Sequence, residues 1–97
     1  MQKALKKVIE QNLREPCGAF GELIKKYYAE VEGTEIEVMM RCFFFEHRGY
    51  WATMRALNRA GYYAEKTTFY RMKSDIVVEI ALRACYEHLI CPYGVIS

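Results

Sequence analysis

Residues 50–89 read YWATMRALNRAGYYAEKTTFYRMKSDIVVEIALRACYEHL, and the fold turns on how this stretch divides. Gly61 splits it, and each side carries a helical period. The shorter part, about 50–60, predicts a helix with Trp51, Met54, Ala56 and Leu57 towards a core and Arg55, Asn58 and Arg59 outward. After Tyr62-Tyr63-Ala64 the period resumes with Phe69, Met72, Ile76, Val77, Ile80, Ala81, Ala84 and Leu89. That predicts a long helix over 66–89, with room for a bend at Ser74-Asp75 and with Pro92 closing it. The β-branched pair Val77-Val78 lies inside the helical period, so no strand is expected there.

Upstream, the pattern stays helical. Residues 2–14 place Leu5, Val8, Ile9 and Leu13 on one stripe, ended by Pro16 and Gly18. A second helix is expected over about 19–31, with Phe20, Leu23, Ile24, Tyr27 and Val31 at core spacing and Gly33 as a left-handed terminator. Thr34-Glu35-Ile36-Glu37 fits a capping box opening a third helix. Ile36, Met39, Met40, Phe43 and Phe44 would form its apolar face until Gly49 interrupts. The expected fold is all-α, a small helical bundle of about five helices containing a C-terminal helix-turn-helix. The whole chain, 1–97, reads as one helical domain: an N-terminal pair over 1–33, suited to dimerisation, and a support helix plus helix-turn-helix over 34–90.

Composition narrows the function classes. The hydrophobic share of 53% suffices for a core without disulfide or metal staples, and the net charge of +2 permits nucleic-acid binding without demanding it. Distribution says more than the sum. Residues 47–73 hold Arg48, Arg55, Arg59, Lys66, Arg71 and Lys73 against one acid, Glu65, whereas Glu30, Glu32, Glu35, Glu37 and Glu46 cluster before them. The N-terminus MQKALKKVIEQ is polar and helix-periodic, unlike a secretion signal, and no run approaches a membrane span. Cysteines at 17, 42, 85 and 91 are irregularly spaced, so reduced thiols in a cytoplasm are expected.

The order of elements over 34–83 is that of a helix-turn-helix behind a support helix. Such a unit inserts the first turns of its last helix into the major groove while the preceding helix crosses the phosphates. Lys66, Thr67, Thr68, Tyr70, Arg71 and Lys73 are the candidate DNA-reading residues, and Arg48, Arg55 and Arg59 the candidate phosphate contacts. Cationic forks reach guanine edges or phosphates, hydroxyls reach either, and the threonine methyl suits thymine.

The run Tyr62-Tyr63-Ala64-Glu65-Lys66-Thr67-Thr68-Phe69-Tyr70-Arg71-Met72-Lys73 resembles the recognition-helix signature of phage RinA/ArpU-type transcriptional regulators, whose helix-turn-helix is similar to region 4 of bacterial sigma factors. Thr68-Phe69-Tyr70-Arg71 matches the family's Thr-aromatic-Tyr-Arg run, and Ile76-Val77-Val78-Glu79-Ile80-Ala81 its aliphatic continuation. Glu35-Ile36-Glu37-Val38-Met39-Met40-Arg41-Cys42-Phe43 is similar to the support helix, and Trp51 to the aromatic opening the motif. The resemblance covers about half the chain and implies a sequence-specific regulator that binds double-stranded DNA as a homodimer or beside RNA polymerase. Two positions depart: Glu65 stands where a serine cap is usual, and Cys42-Phe43 where the family has Arg-Tyr.

Those departures motivate an alternative on the same scaffold, a phage-encoded protein-interaction module or inhibitor of a host nucleoprotein, such as an anti-CRISPR. A helical virion or packaging component is a third reading. Helical periodicity assigns most of the aromatics to core and interface, with Phe45 and one of each pair Tyr27-Tyr28 and Tyr62-Tyr63 pointing away from the core. Cys85, His88 and Cys91 lack the paired short spacings of structural zinc sites, so no metal or other cofactor is expected. His47 and His88 have no nucleophile motif near them, and no glycine-rich phosphate loop exists, so no catalysis is expected.

Overall fold

The computed structural model describes residues 3–91 and 94–95, and it is all-α. The helices are α1 (Lys3–Arg14), α2 (Gly18–Glu30), α3 (Glu35–Met39), a π-helical segment (Met40–Phe45), α4 (Tyr50–Arg59) and α5 (Lys66–Tyr86). Past α5, two-residue strands β1 (Ile90–Cys91) and β2 (Gly94–Val95) pair antiparallel, with Ile90 opposite Val95. The sequence carries too short a pattern there to announce a strand. Pro92, expected to close the last helix, lies outside the described residues.

One core holds the helices together. The stripe Leu5, Ile9 and Leu13 of α1 is buried in it, with Leu23, Ile24 and Tyr27 of α2, Met39, Met40 and Phe44 of the middle segment, Leu57 of α4 and Phe69, Met72, Ile76 and Ile80 of α5. Each such side chain contributes roughly 1.5–3 kcal/mol by leaving water. Arg83 ties α5 to α2: it contacts Glu30 at 2.7 Å and Glu79 at 2.9 Å and lies 4.7 Å over the Tyr27 ring. Donating hydrogen bonds to those two carboxylates holds the guanidinium above its ordinary pKa. Burial, then the Glu79 charge, raise the phenol of Tyr27.

Helix ends explain where the chain departs from its periodicity. α4 ends as expected at Gly61, whose φ of +91° lets the Gly61 amide donate to Asn58 and the Tyr62 amide to Leu57. α5 uses the same pair of bonds earlier than its apolar pattern suggests. His88 takes φ +62°, its amide donates to Cys85 and that of Leu89 donates to Ala84, so the helix stops at Tyr86 rather than 89. Leu89 still packs on the core, which is why it mimicked a helical position. Ser74 and Asp75 sit within α5, which is one helix through them.

The capping box does not form. Thr34 has the extended backbone of a cap, but its hydroxyl donates back to the Val31 carbonyl at 2.6 Å, and Glu37 pairs with Arg41 one turn on at 3.5 Å. Gly33, at φ +82°, makes the expected left-handed turn before it.

The third helix widens after Met39. Its π turn closes with the Glu46 amide donating to Arg41 at 2.9 Å, and it is terminated by His47 at φ +55°, whereas Gly49 serves as the extended cap of α4. The wider turn gives three consecutive phenylalanines three different neighbours. Phe44 is buried in the core, Phe43 meets Phe69 of α5, and Phe45 meets Tyr28 of α2 at 5.0 Å. Phe45 therefore packs inward, contrary to expectation.

Thr53 is the one polar residue buried among the described residues, and its hydroxyl finds no hydrogen-bond partner. An unpaired buried hydroxyl costs stability that an isosteric methyl does not. Thr53→Val should leave the unfolding free energy unchanged or raise it by about 1 kcal/mol at most, read from a calorimetric scan; a clear loss would mean that the hydroxyl is bonded.

Candidate functional site

α4 begins with the register of its inward face. Tyr50, Thr53, Met54 and Leu57 follow the helical spacing and turn inward, so Trp51 is rotated out to the edge that carries Arg55, Asn58 and Arg59. Trp51 is 73% exposed, which corrects its expected core position. The signal was present in the sequence: the positions four and seven after Trp51 are Arg55 and Asn58, whereas three, four and seven after Tyr50 are Thr53, Met54 and Leu57.

Tyr50 does what was expected of Trp51. Its ring lies 4.7 Å from Phe69, nearly perpendicular, and 6.2 Å from Tyr70, nearly parallel at 16°. Phe69 in turn meets Phe43 at 5.2 Å, and Phe43 meets Phe44 at 5.1 Å. Trp51 stands edge-on to Tyr50 at 5.0 Å. A column of rings thus runs from the core to the surface, each contact in the favoured edge-to-face or offset geometry.

This column brings the first turn of α4 against the first turns of α5. The two helices are not joined by the tight turn expected. Six residues, 60–65, connect them, against three or four in a helix-turn-helix. At the far end of α4 the Tyr62 hydroxyl donates to Gly33 at 2.8 Å. Residues 62–65 carry no regular structure, and Glu65, with extended backbone, leads into α5. The contacts of Tyr50 with Phe69 and Tyr70 set the start of α4 beside the first turns of α5, and neither helix carries a side-chain cap; Glu65 occupies the cap position of α5 without bonding through its carboxylate.

The expected DNA residues divide into two groups. Lys66, Thr67, Tyr70 and Arg71 are exposed on the first turns of α5, with Lys66 and Tyr70 on one face and Thr67 and Arg71 beside them. Arg55 and Arg59 are exposed along the edge of α4 that Trp51 begins. Among the described residues, none of these four cations makes an ion pair. The second group is engaged or covered. Arg48 pairs with Glu46 at 2.7 Å, and Thr68 is half-buried. Lys73 turns towards α1, with its ammonium 4.0 Å from Glu10 and 5.3 Å over the Phe43 ring.

Further along α5, Val78, Leu82 and Tyr86 are exposed at four-residue spacing, an apolar stripe that sequence reading did not single out. Leu82 and Tyr86 line a groove of about 440 Å³ with Leu23 and Lys26 of α2. Among the described residues, no group of three His, Cys, Asp or Glu side chains is placed to hold a metal ion, and no helix is long and apolar enough to cross a membrane. The side chain of Cys91 lies outside the described residues.

No family model, curated protein or solved structure matches the chain.

The division of the cations is open to test by stability alone. Lys73→Ala should cost about 1 kcal/mol in denaturant unfolding, through its half-buried ion pair and ring contact. Lys66→Ala and Arg71→Ala should each change stability by less than about 0.5 kcal/mol; equal losses at all three positions would contradict the division.

Proposed function

We propose that the chain binds duplex DNA through the surface shared by the N-terminal ends of α4 and α5, and acts as a transcriptional regulator of the phage type it resembles. The observation that carries this reading is the set Arg55, Arg59, Lys66 and Arg71, all exposed and free of carboxylate partners among the described residues. Two helix N-termini on the same side add partial positive charge, and their uncapped amides suit phosphate oxygens. In this reading Lys66, Thr67, Tyr70 and Arg71 approach base edges while Arg55 and Arg59 lie on the backbone. Arg48, Thr68 and Lys73, included on sequence grounds, serve the fold.

The stripe Val78, Leu82 and Tyr86 supports a second reading, in which a protein covers this part of α5. A second copy of the chain there would make the regulator a homodimer; RNA polymerase or a host nucleoprotein there would make it an interaction module or inhibitor. Both readings leave the cationic end of the molecule free, so DNA binding decides between a regulator and a pure interaction module.

Duplexes selected from a random pool should bind in a salt-dependent manner. Lys66→Ala with Arg71→Ala should weaken that binding and lower the slope of log affinity against log salt by about two. Unchanged affinity and slope at physiological salt would remove α5 from the interface.

A further inference from the structure

Trp51 has no structural task that accounts for its exposure. A large apolar side chain in water gains nothing for the fold, and here it heads a helix edge whose next positions are Arg55 and Arg59. Tyr70, 51% exposed, reaches the same Tyr50 ring from α5, shares a face with Lys66 and precedes Arg71. Tyr50, between the two rings, is anchored on buried Phe69, so both exposed aromatics rise from a rigid base. The indole and Tyr50 meet at 78° rather than stacking on each other, and the high exposure leaves an indole face open.

We propose that Trp51, together with Tyr70 on the same Tyr50 ring, is a stacking platform for an unpaired base. The preferred nucleic acid would then be a duplex carrying a single-stranded or locally opened segment rather than a fully paired one. The proposal rests on the DNA-binding reading of the same surface. An aromatic face accepts any base, and the energy of stacking is sequence-tolerant. Arg55, Lys66 and Arg71 supply the charge complementary to the backbone on either side, against the acids Glu46 and Glu65 nearby in sequence. That balance favours a polyanion over an acid-poor protein surface as the occupant, although tryptophan, tyrosine and arginine also make protein hot spots. A regulator that opens or traps an opened step would need such a residue, since a paired base offers no free face.

The chain has a single tryptophan, so its intrinsic emission reports this position alone. The test titrates the full-length chain with a short oligothymidine, a blunt duplex, and the same duplex bearing an oligothymidine overhang. Tryptophan emission and the anisotropy of labelled DNA are read together. The overhang duplex and the single strand should quench Trp51, while the blunt duplex binds with little quenching. Trp51→Ala should weaken overhang binding about ten-fold and blunt binding less than two-fold, with Trp51→Phe recovering part of the loss. Helical circular dichroism checks that both variants are folded. Equal affinity for blunt and overhang duplexes, no quenching and an indifferent Trp51→Ala would overturn the stacking role while leaving DNA binding intact. Failure of every nucleic acid to bind would overturn both, and would turn the platform into a protein contact.

Discussion

Phe69 sits between Phe43 at 5.2 Å and Tyr50 at 4.7 Å, edge-on to both, and much of the molecule is arranged by this contact. It joins three successive elements: the π turn, the first turn of α4 and the first turns of α5. Without it, α4 has little to fix its start against α5, because the covalent link between them, residues 60–65, leaves from the other end of α4. With it, two helix N-termini are brought together and the side chains one position out from the buried ring, Trp51 and Tyr70, are forced to the surface. The exposed site is thus a geometric consequence of a core contact.

The π turn makes that contact available. In an unbroken α-helix, consecutive Phe43, Phe44 and Phe45 would fan over about 200° and leave one in solvent. Widening the turn sends Phe44 to the core, Phe43 to α5 and Phe45 to α2. The extra backbone slack is closed by a left-handed His47, whose ring nitrogen lies 3.1 Å from the Arg14 carbonyl. Electrostatics then sorts the basic stretch. Arg48 and Lys73 lie close to carboxylates and are drawn to Glu46 and Glu10, whereas Arg55, Arg59, Lys66 and Arg71 remain in water. Exposed cations without partners add little to stability and are available to an anionic ligand.

The helical elements were legible because their apolar stripes recur at 3.6-residue spacing; Leu5-Ile9-Leu13 and Phe69-Met72-Ile76 needed nothing else. The turns at Gly33 and Gly61 were legible because only glycine adopts their backbone cheaply. What failed were features set by competition between local and distant partners. Thr34 had a capping pattern, but a carbonyl three residues back was a nearer acceptor. Histidine, not glycine, took the left-handed positions at 47 and 88, and composition gives no warning of that. Trp51 was misplaced by its bulk, since a large aromatic beside a core pattern reads as core unless its own four- and seven-residue neighbours are weighed. For the candidate site, Lys66, Thr67, Tyr70, Arg71, Arg55 and Arg59 were singled out from charge and spacing, and the structure leaves them exposed. The inward turn of Lys73 was not, because Glu10 approaches it only through the fold. The apolar edge Val78-Leu82-Tyr86 was hidden by its own regularity, merging with the buried face beside it.

The arrangement of rings is most directly tested by through-space proton contacts in solution. Nuclear Overhauser cross-peaks are expected between the Tyr50 ring and those of Phe69 and Tyr70, and between Phe69 and Phe43, with the indole protons of Trp51 seeing Tyr50 but no core methyl group. Indole cross-peaks to the methyls of Leu57 or Ile80, with none from Tyr50 to Phe69, would contradict the account at its root.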